Sequence, residues 1–166
     1  IHINHGPGVG KTTRAMGLTI RAAGEGLNID VVQFLKAGDS PEVKIFESIP
    51  NIRYRCPGKH PFITPKGPGK VHYDHAAKAL EYAREAVESG THVLVCDEIL
   101  DTLFFNVLKK EQIMALIETC KGSVELVMTG REAPPEIVDM ADYVTYFEQV
   151  KHPYYKGVKA RKGIEY

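Results

Sequence analysis

At 166 residues, with 43% hydrophobic and 25% charged side chains, the chain has the composition of one globular domain large enough to bury a substantial core. Its 21 basic and 21 acidic residues cancel, which argues against a globally basic nucleic-acid binder or a polybasic membrane-surface protein, so any cationic patch must be local. Cys56, Cys96 and Cys120 stand far apart without C-x-x-C spacing, favouring reduced thiols in a cytoplasmic protein over a disulfide or zinc framework, and no bilayer-length apolar run or signal peptide is visible.

Ile1 to Asn4 alternates apolar and polar residues and reads as a first strand. It opens without a Met, so we expect some N-terminal sequence to precede it. The strand runs into His5-Gly6-Pro7-Gly8-Val9-Gly10-Lys11-Thr12-Thr13. Glycines in alternation let backbone N–H groups turn inward, and the helix that follows adds the positive end of its dipole, a combination suited to phosphate. Lys11 would reach the phosphates as a point charge, and the Thr12 hydroxyl would ligate Mg²⁺. The regular phosphate-loop pattern has a glycine where this chain has His5, so the loop is one residue short.

Lys11 to about Ala23 carries apolar residues at helical spacing, closed by Gly24 and Gly26. Ile29 to Leu35 is an apolar run of buried-strand length, followed by a loop, a short helical segment to about Ser48 and a strand over Asn51 to Arg55. Cys56 to Lys70 holds Pro57, Pro61, Pro65 and Pro68 and is read as a long functional or mobile loop. Within it, Phe62 and Ile63 either tuck the loop onto the body or face a ligand. Tyr73 to Ser89 predicts a helix, with His72 and His75 read as exposed helix-end residues rather than metal ligands.

Val93-Leu94-Val95-Cys96-Asp97-Glu98 is an apolar strand ending in paired carboxylates. Beside a phosphate loop, Asp97 and Glu98 would hold Mg²⁺ directly or through water, or contact the nucleotide. A helix over Glu111 to Cys120, a strand over Val124 to Thr129, a short helix from Pro134-Pro135 through Ala141 and a strand over Tyr143 to Phe147 complete an alternation that argues for an open α/β sheet. The tail, Val150 to Tyr166, interleaves lysines and Arg161 with tyrosines. Taken alone it reads either as solvated charge or as a nucleic-acid surface.

Jointly these stretches resemble the P-loop corrinoid adenosyltransferases of the ATP:cob(I)alamin type over nearly the whole length. The marks are the shortened Gly6 to Thr13 loop, Gly17 to Gly26, Val31-Val32-Gln33-Phe34, Asp97-Glu98 and Thr129-Gly130-Arg131 with Ala133-Pro134. To these add the tail Val150-Lys151-His152-Pro153-Tyr154 through Gly157 to Tyr166. The chain departs from the family in having Val9 where a lysine is usual, Arg161 where Gln is frequent, and no tryptophan.

The resemblance implies a P-loop NTPase-like, RecA-like fold: one domain over residues 1–166, an open, mostly parallel sheet with helices on both faces and a functional tail over 150–166. It implies transfer of the 5′-deoxyadenosyl group of ATP to a Co(I) corrinoid with release of triphosphate, Mg²⁺ as cofactor, a reductase as electron source, a homodimer, and no nucleic-acid or membrane partner. Residue by residue, Gly6, Gly8, Val9, Gly10, Lys11, Thr12 and Thr13 would bind the triphosphate. Arg21 would supply a further cation, Glu98 would help hold Mg²⁺ or the ribose, and Phe62 would lie beneath the cobalt. The competing readings are a P-loop kinase or hydrolase acting at the γ-phosphate, a nucleic-acid-stimulated ATPase, and a nucleotide-binding relative without transferase activity.

Overall fold

The computed structural model describes residues 1–59 and 62–165. Pro61 of the proline-rich loop and the tail's terminal Tyr166 lie outside them.

Six strands form one sheet: β1 (His2–His5), β2 (Ile29–Gln33), β3 (Ile52–Arg55), β4 (Val93–Asp97), β5 (Glu125–Gly130) and β6 (Tyr143–Tyr146). Their order is β3-β2-β4-β5-β1-β6, and every pairing is parallel. Parallel neighbours need a crossover between them, which the helices provide. These are α1 (Lys11–Gly24), α2 (Val43–Phe46), α3 (Lys70–Glu88), α4 (Asp101–Phe104), α5 (Lys110–Cys120) and α6 (Pro135–Val138), with a 3₁₀ turn at Pro153–Lys156.

Residues in the central strands alternate between two cores, as the pleat requires. Val31, Val93, Val95 and Val127 pack with Ala15, Met16 and Ala22 of α1 on one face. Val32, Leu94, Cys96, Leu126 and Met128 meet Ala76, Ala79, Leu80 and Ala83 of α3 and Ile113, Leu116 and Ile117 of α5 on the other. A sheet covered on both faces explains why β2 and β4 read as unbroken apolar runs. The small alanines of α3 let its axis lie close to the sheet. All three cysteines are free, and among the described residues no helix is long and apolar enough to cross a membrane.

Three expectations change. The strand from Ile29 stops at Gln33 because Leu35 takes a left-handed φ of 49°, which a pleated strand cannot carry. A helical turn, α4, occupies the stretch after Glu98, too short to show a period in sequence. Finally, α3 begins at Lys70, so His72 and His75 lie inside its first two turns, on the face that continues to Ala76 and Ala79, and both are buried rather than exposed at a helix end. His72 Nδ1 accepts from the Gly69 N–H at 2.9 Å, and His75 Nε2 lies 2.9 Å from the Gly58 carbonyl and 3.2 Å from that of Lys36.

Candidate active site

The C-terminal ends of β1, β4 and β5 meet along one rim, where ligands sit in open parallel sheets. There, neighbouring strands carry a row of polar residues within otherwise apolar segments. Register pairs Gln33 with Asp97 and Asn4 with Thr129, and Thr129 hydrogen-bonds across to Asp97.

The loop after β1 turns at Gly6 (φ 120°) and Gly10 (φ 109°), values that only glycine adopts without strain. Space is the second constraint. A Cβ on Gly6 would stand 2.5 Å from the Phe147 carbonyl oxygen, and one on Gly8 would stand 2.8 Å from the Glu148 carbonyl. Two of the loop amides are spent on this packing, Gly6 N–H donating to the Arg131 carbonyl and Gly8 N–H to that of Phe147. This corrects the expectation that Gly6 and Gly8 turn their own amides to phosphate: they let the loop lie against the chain after β6. The donors left for an anion are the Val9 and Gly10 amides, which have no main-chain acceptor among the described residues, and those at the start of α1. Its first main-chain bond runs from Arg14 N–H to the Gly10 carbonyl, so Lys11, Thr12 and Thr13 have no intrahelical acceptor. Val9 stands at the loop apex, 68% exposed.

Lys11 folds back over this loop, donating to the Gly6 carbonyl at 2.8 Å and the Gly8 carbonyl at 2.6 Å. Burial pulls its ammonium below the ordinary lysine value, with Asp101 opposing and Arg131 adding to the fall.

Asp97 is fully buried and has four donors around its two oxygens. Oδ1 accepts from Thr12 at 2.9 Å and Thr129 at 2.8 Å, and Oδ2 from Lys36 at 2.6 Å and Gln33 at 3.2 Å. A carboxylate offers about four lone-pair sites, so Asp97 has none free. It therefore orients the Thr12 hydroxyl, and a direct Asp97 bond to Mg²⁺ does not fit this arrangement. Lys36 is mostly buried; burial alone would lower its ammonium, but Asp97 and Glu98 hold it above the ordinary lysine value.

Glu98 follows with φ 64°, unusual for a residue with a side chain, and its N–H donates to Thr129 Oγ1 at 2.8 Å. The turn points its partly exposed carboxylate toward the loop, 3.7 Å from Lys36 Nζ. Burial raises its pKa to about 7, against the pull of Lys36. Among the described residues no three His, Cys, Asp or Glu side chains group as a metal cage. The donor set here is of another kind: one hydroxyl and one carboxylate.

A cavity of about 720 Å³ opens on these groups, lined by Lys11, Thr12, Lys36, Glu98, Asp101 and Arg131 and, at its outer side, by Phe62 and Ile63. Phe62 is 94% exposed, so it does not tuck the loop onto the body; it stands at the mouth. A second cleft, about 780 Å³, lies on the other side of Lys11 and Arg131 between His5, Phe104 and Tyr146.

The family profile of the ATP:corrinoid adenosyltransferases BtuR/CobO/CobP matches residues 1–166. The chain belongs to this family. A corrinoid adenosyltransferase of Pseudomonas aeruginosa is 30% identical over 99% of this chain and 82% of its own length. The corrinoid adenosyltransferase CobA of Salmonella typhimurium is 28% identical over 97% and 82%, and one from a Sinorhizobium species 29% over 100% and 79%. Among solved structures, that of C. elegans PCH-2 aligns with 90% of this chain and 35% of its own at 19% identity and a TM-score of 0.37.

Of the residues expected to serve a corrinoid adenosyltransferase site, the fold brings Lys11, Thr12, Thr13, Asp97, Glu98 and Phe62 to one rim. It does not bring Arg21. That residue sits in the last turn of α1, ten residues from Lys11, so the helix rise alone puts about 15 Å between their backbones. Arg21 lines a different hollow, with Leu27, His92 and Glu125, at the N-terminal ends of β4 and β5 and so opposite the rim. Lys36, Gln33 and Thr129 join the site through Asp97, a role that no sequence motif assigns them. The available signal was a polar residue at or just past the end of each apolar strand.

Proposed function

We propose that the chain transfers the 5′-deoxyadenosyl group of ATP to the Co(I) centre of a corrinoid and releases inorganic triphosphate. The observation that carries this reading is a cavity walled by the phosphate-loop residues Lys11 and Thr12 on one side and by the exposed Phe62 on the other. One wall suits a polyanion and the other the face of a large apolar ring.

In the proposed reaction the cobalt of the substrate is the nucleophile. Its electron pair forms the Co–C5′ bond, the C5′–O bond breaks, and that pair leaves on the triphosphate oxygen. No proton has to be removed, so the chain's task is to position C5′ and to meet the charge growing on the leaving group. Lys11 would exchange its two loop carbonyls for phosphate oxygens, replacing neutral acceptors with anionic ones. The amides of Lys11, Thr12 and Thr13 supply fixed donors at the head of α1.

Mg²⁺ fits these residues as a nucleotide-bound ion, since it commonly takes one or two protein oxygens and completes its shell with phosphate and water. Thr12 Oγ1 and Glu98 would hold it, Asp97 fixing the hydroxyl from behind, and when bound it would neutralise phosphate charge. Phe62 would cover the lower face of the corrin and exclude water from the metal. The reading also calls for an electron donor, because the corrinoid must arrive as Co(I).

Mixing the protein anaerobically with ATP, Mg²⁺ and chemically reduced cobalamin tests it. The Co(I) absorbance should disappear as the alkylcobalt spectrum grows, and light should then cleave the Co–C bond of the product to give the Co(II) spectrum. An unchanged Co(I) spectrum contradicts the proposal.

A further inference from the structure

Behind the Thr12 side of the site a third cavity, about 760 Å³, has two walls from distant parts of the chain. The body contributes Thr12, Thr13, Lys36, Asp39, Glu42 and Glu98, and the C-terminal tail contributes Lys162 through Glu165. The tail reaches this place through a closed turn. Gly163 takes φ 76°, and Glu165 accepts from the Arg161 N–H at 2.7 Å and from its guanidinium at 2.7 and 3.2 Å. That turn neutralises Arg161 and Glu165 against each other. Among the described residues Lys162 has no ion-pair partner, so it is the tail cation at this cavity left without a direct contact to a carboxylate. Thr12 and Thr13, whose amides open α1, line the same cavity.

We infer that Lys162 is a phosphate-binding residue, delivered by the tail onto the nucleotide held at Thr12 and Thr13. The inference rests on the ATP reading above and adds a second cation to Lys11, from the opposite end of the chain. The tail thereby straps the nucleotide in place. Of its alternative partners, corrin side chains or the triphosphate, the phosphate end is the one its cavity favours, because Phe62 lines a different cavity from Lys162.

Equilibrium dialysis of ATP and of inorganic triphosphate, each with Mg²⁺, against the whole chain tests this without any corrinoid. Lys162→Ala should weaken both ligands about tenfold, the range of an exposed charge-assisted contact. Lys162→Glu should weaken them further, Lys162→Arg should bind within about twofold of the parent, and Lys156→Ala, outside the cavity, should bind like the parent. Parent-like binding by Lys162→Ala overturns the assignment, as does an equal loss from Lys156→Ala, which would mean diffuse tail charge. A parent protein that binds neither ligand, or a Lys11→Ala variant that binds both fully, overturns the ATP reading itself and is thereby distinguished from failure of Lys162 alone.

Discussion

Around Lys11 the chain is packed closely on its neighbours, whereas the Phe62 side chain stands in solvent. The loop after β1 is wedged against Phe147 and Glu148 with no room for a Cβ, and behind it a buried carboxylate holds four donors. The proline-rich loop instead leaves Phe62 in solvent, tied down by the Cys56 thiol on the Lys36 carbonyl and by His75 on the Gly58 carbonyl. The difference follows from what each side would bind. Fixed dipoles aimed at a polyanion work only if they need no rearrangement during the reaction, whereas a ring as large as a corrin has to enter past whatever finally covers it. Substitutions on the rigid side should therefore cost rate and stability together, and those on the open side should cost rate or affinity alone.

The largest effect is expected at Lys11. Lys11→Ala removes the cation that meets the leaving group and should lower the transfer rate by about 10³-fold, read in the cobalamin absorbance assay. Next is Asp97→Asn, which leaves Lys36 buried without its anion and loosens Thr12. It should destabilise the fold by about 3 kcal/mol in urea unfolding, and a loss below about 1 kcal/mol would show that the four-donor carboxylate does not hold the rim together.

Glu98 gives a pH-dependent contrast. Its folded pKa, about 7, lies above its ordinary 4.5, so the cost of its partly buried charge is absent below the lower value and complete above the upper. Without ligand, Glu98→Gln should therefore gain thermal stability over the parent, little at pH 5 and most at pH 8. The parent's transfer rate should fall as pH drops through 7 and the carboxylate is lost. The smallest structural effect is expected from Phe62→Ala: an unfolding free energy unchanged within about 0.5 kcal/mol, with the apparent affinity for corrinoid lowered about tenfold. A large stability loss there would mean that Phe62 belongs to the core.

Sequence reached the rigid side further than the open one, for physical reasons. Glycines, a lysine and a threonine between a strand and a helix leave few conformations, and unbroken apolar strands announce a sheet covered on both faces. What sequence could not carry was the third dimension of polar residues. Lys36 lies outside any motif, yet the left-handed turn at Leu35 and the register of β2 beside β4 set its ammonium on Asp97. Arg21 shows the converse: a cation close to the loop in sequence is carried away by the helix between them. His72 and His75 were misplaced because the start of α3 has no side-chain cap, only the Gly69 backbone closed by His72.

The most direct test of the central claim, that this site presents C5′ rather than the γ-phosphorus to the attacking group, is the identity of the phosphate product. With ATP, Mg²⁺ and cob(I)alamin under anaerobic conditions, one inorganic triphosphate should appear for each Co–C bond formed, and ADP should not accumulate. ADP and orthophosphate released without a Co–C bond would contradict the account and assign the rim to chemistry at the far end of ATP.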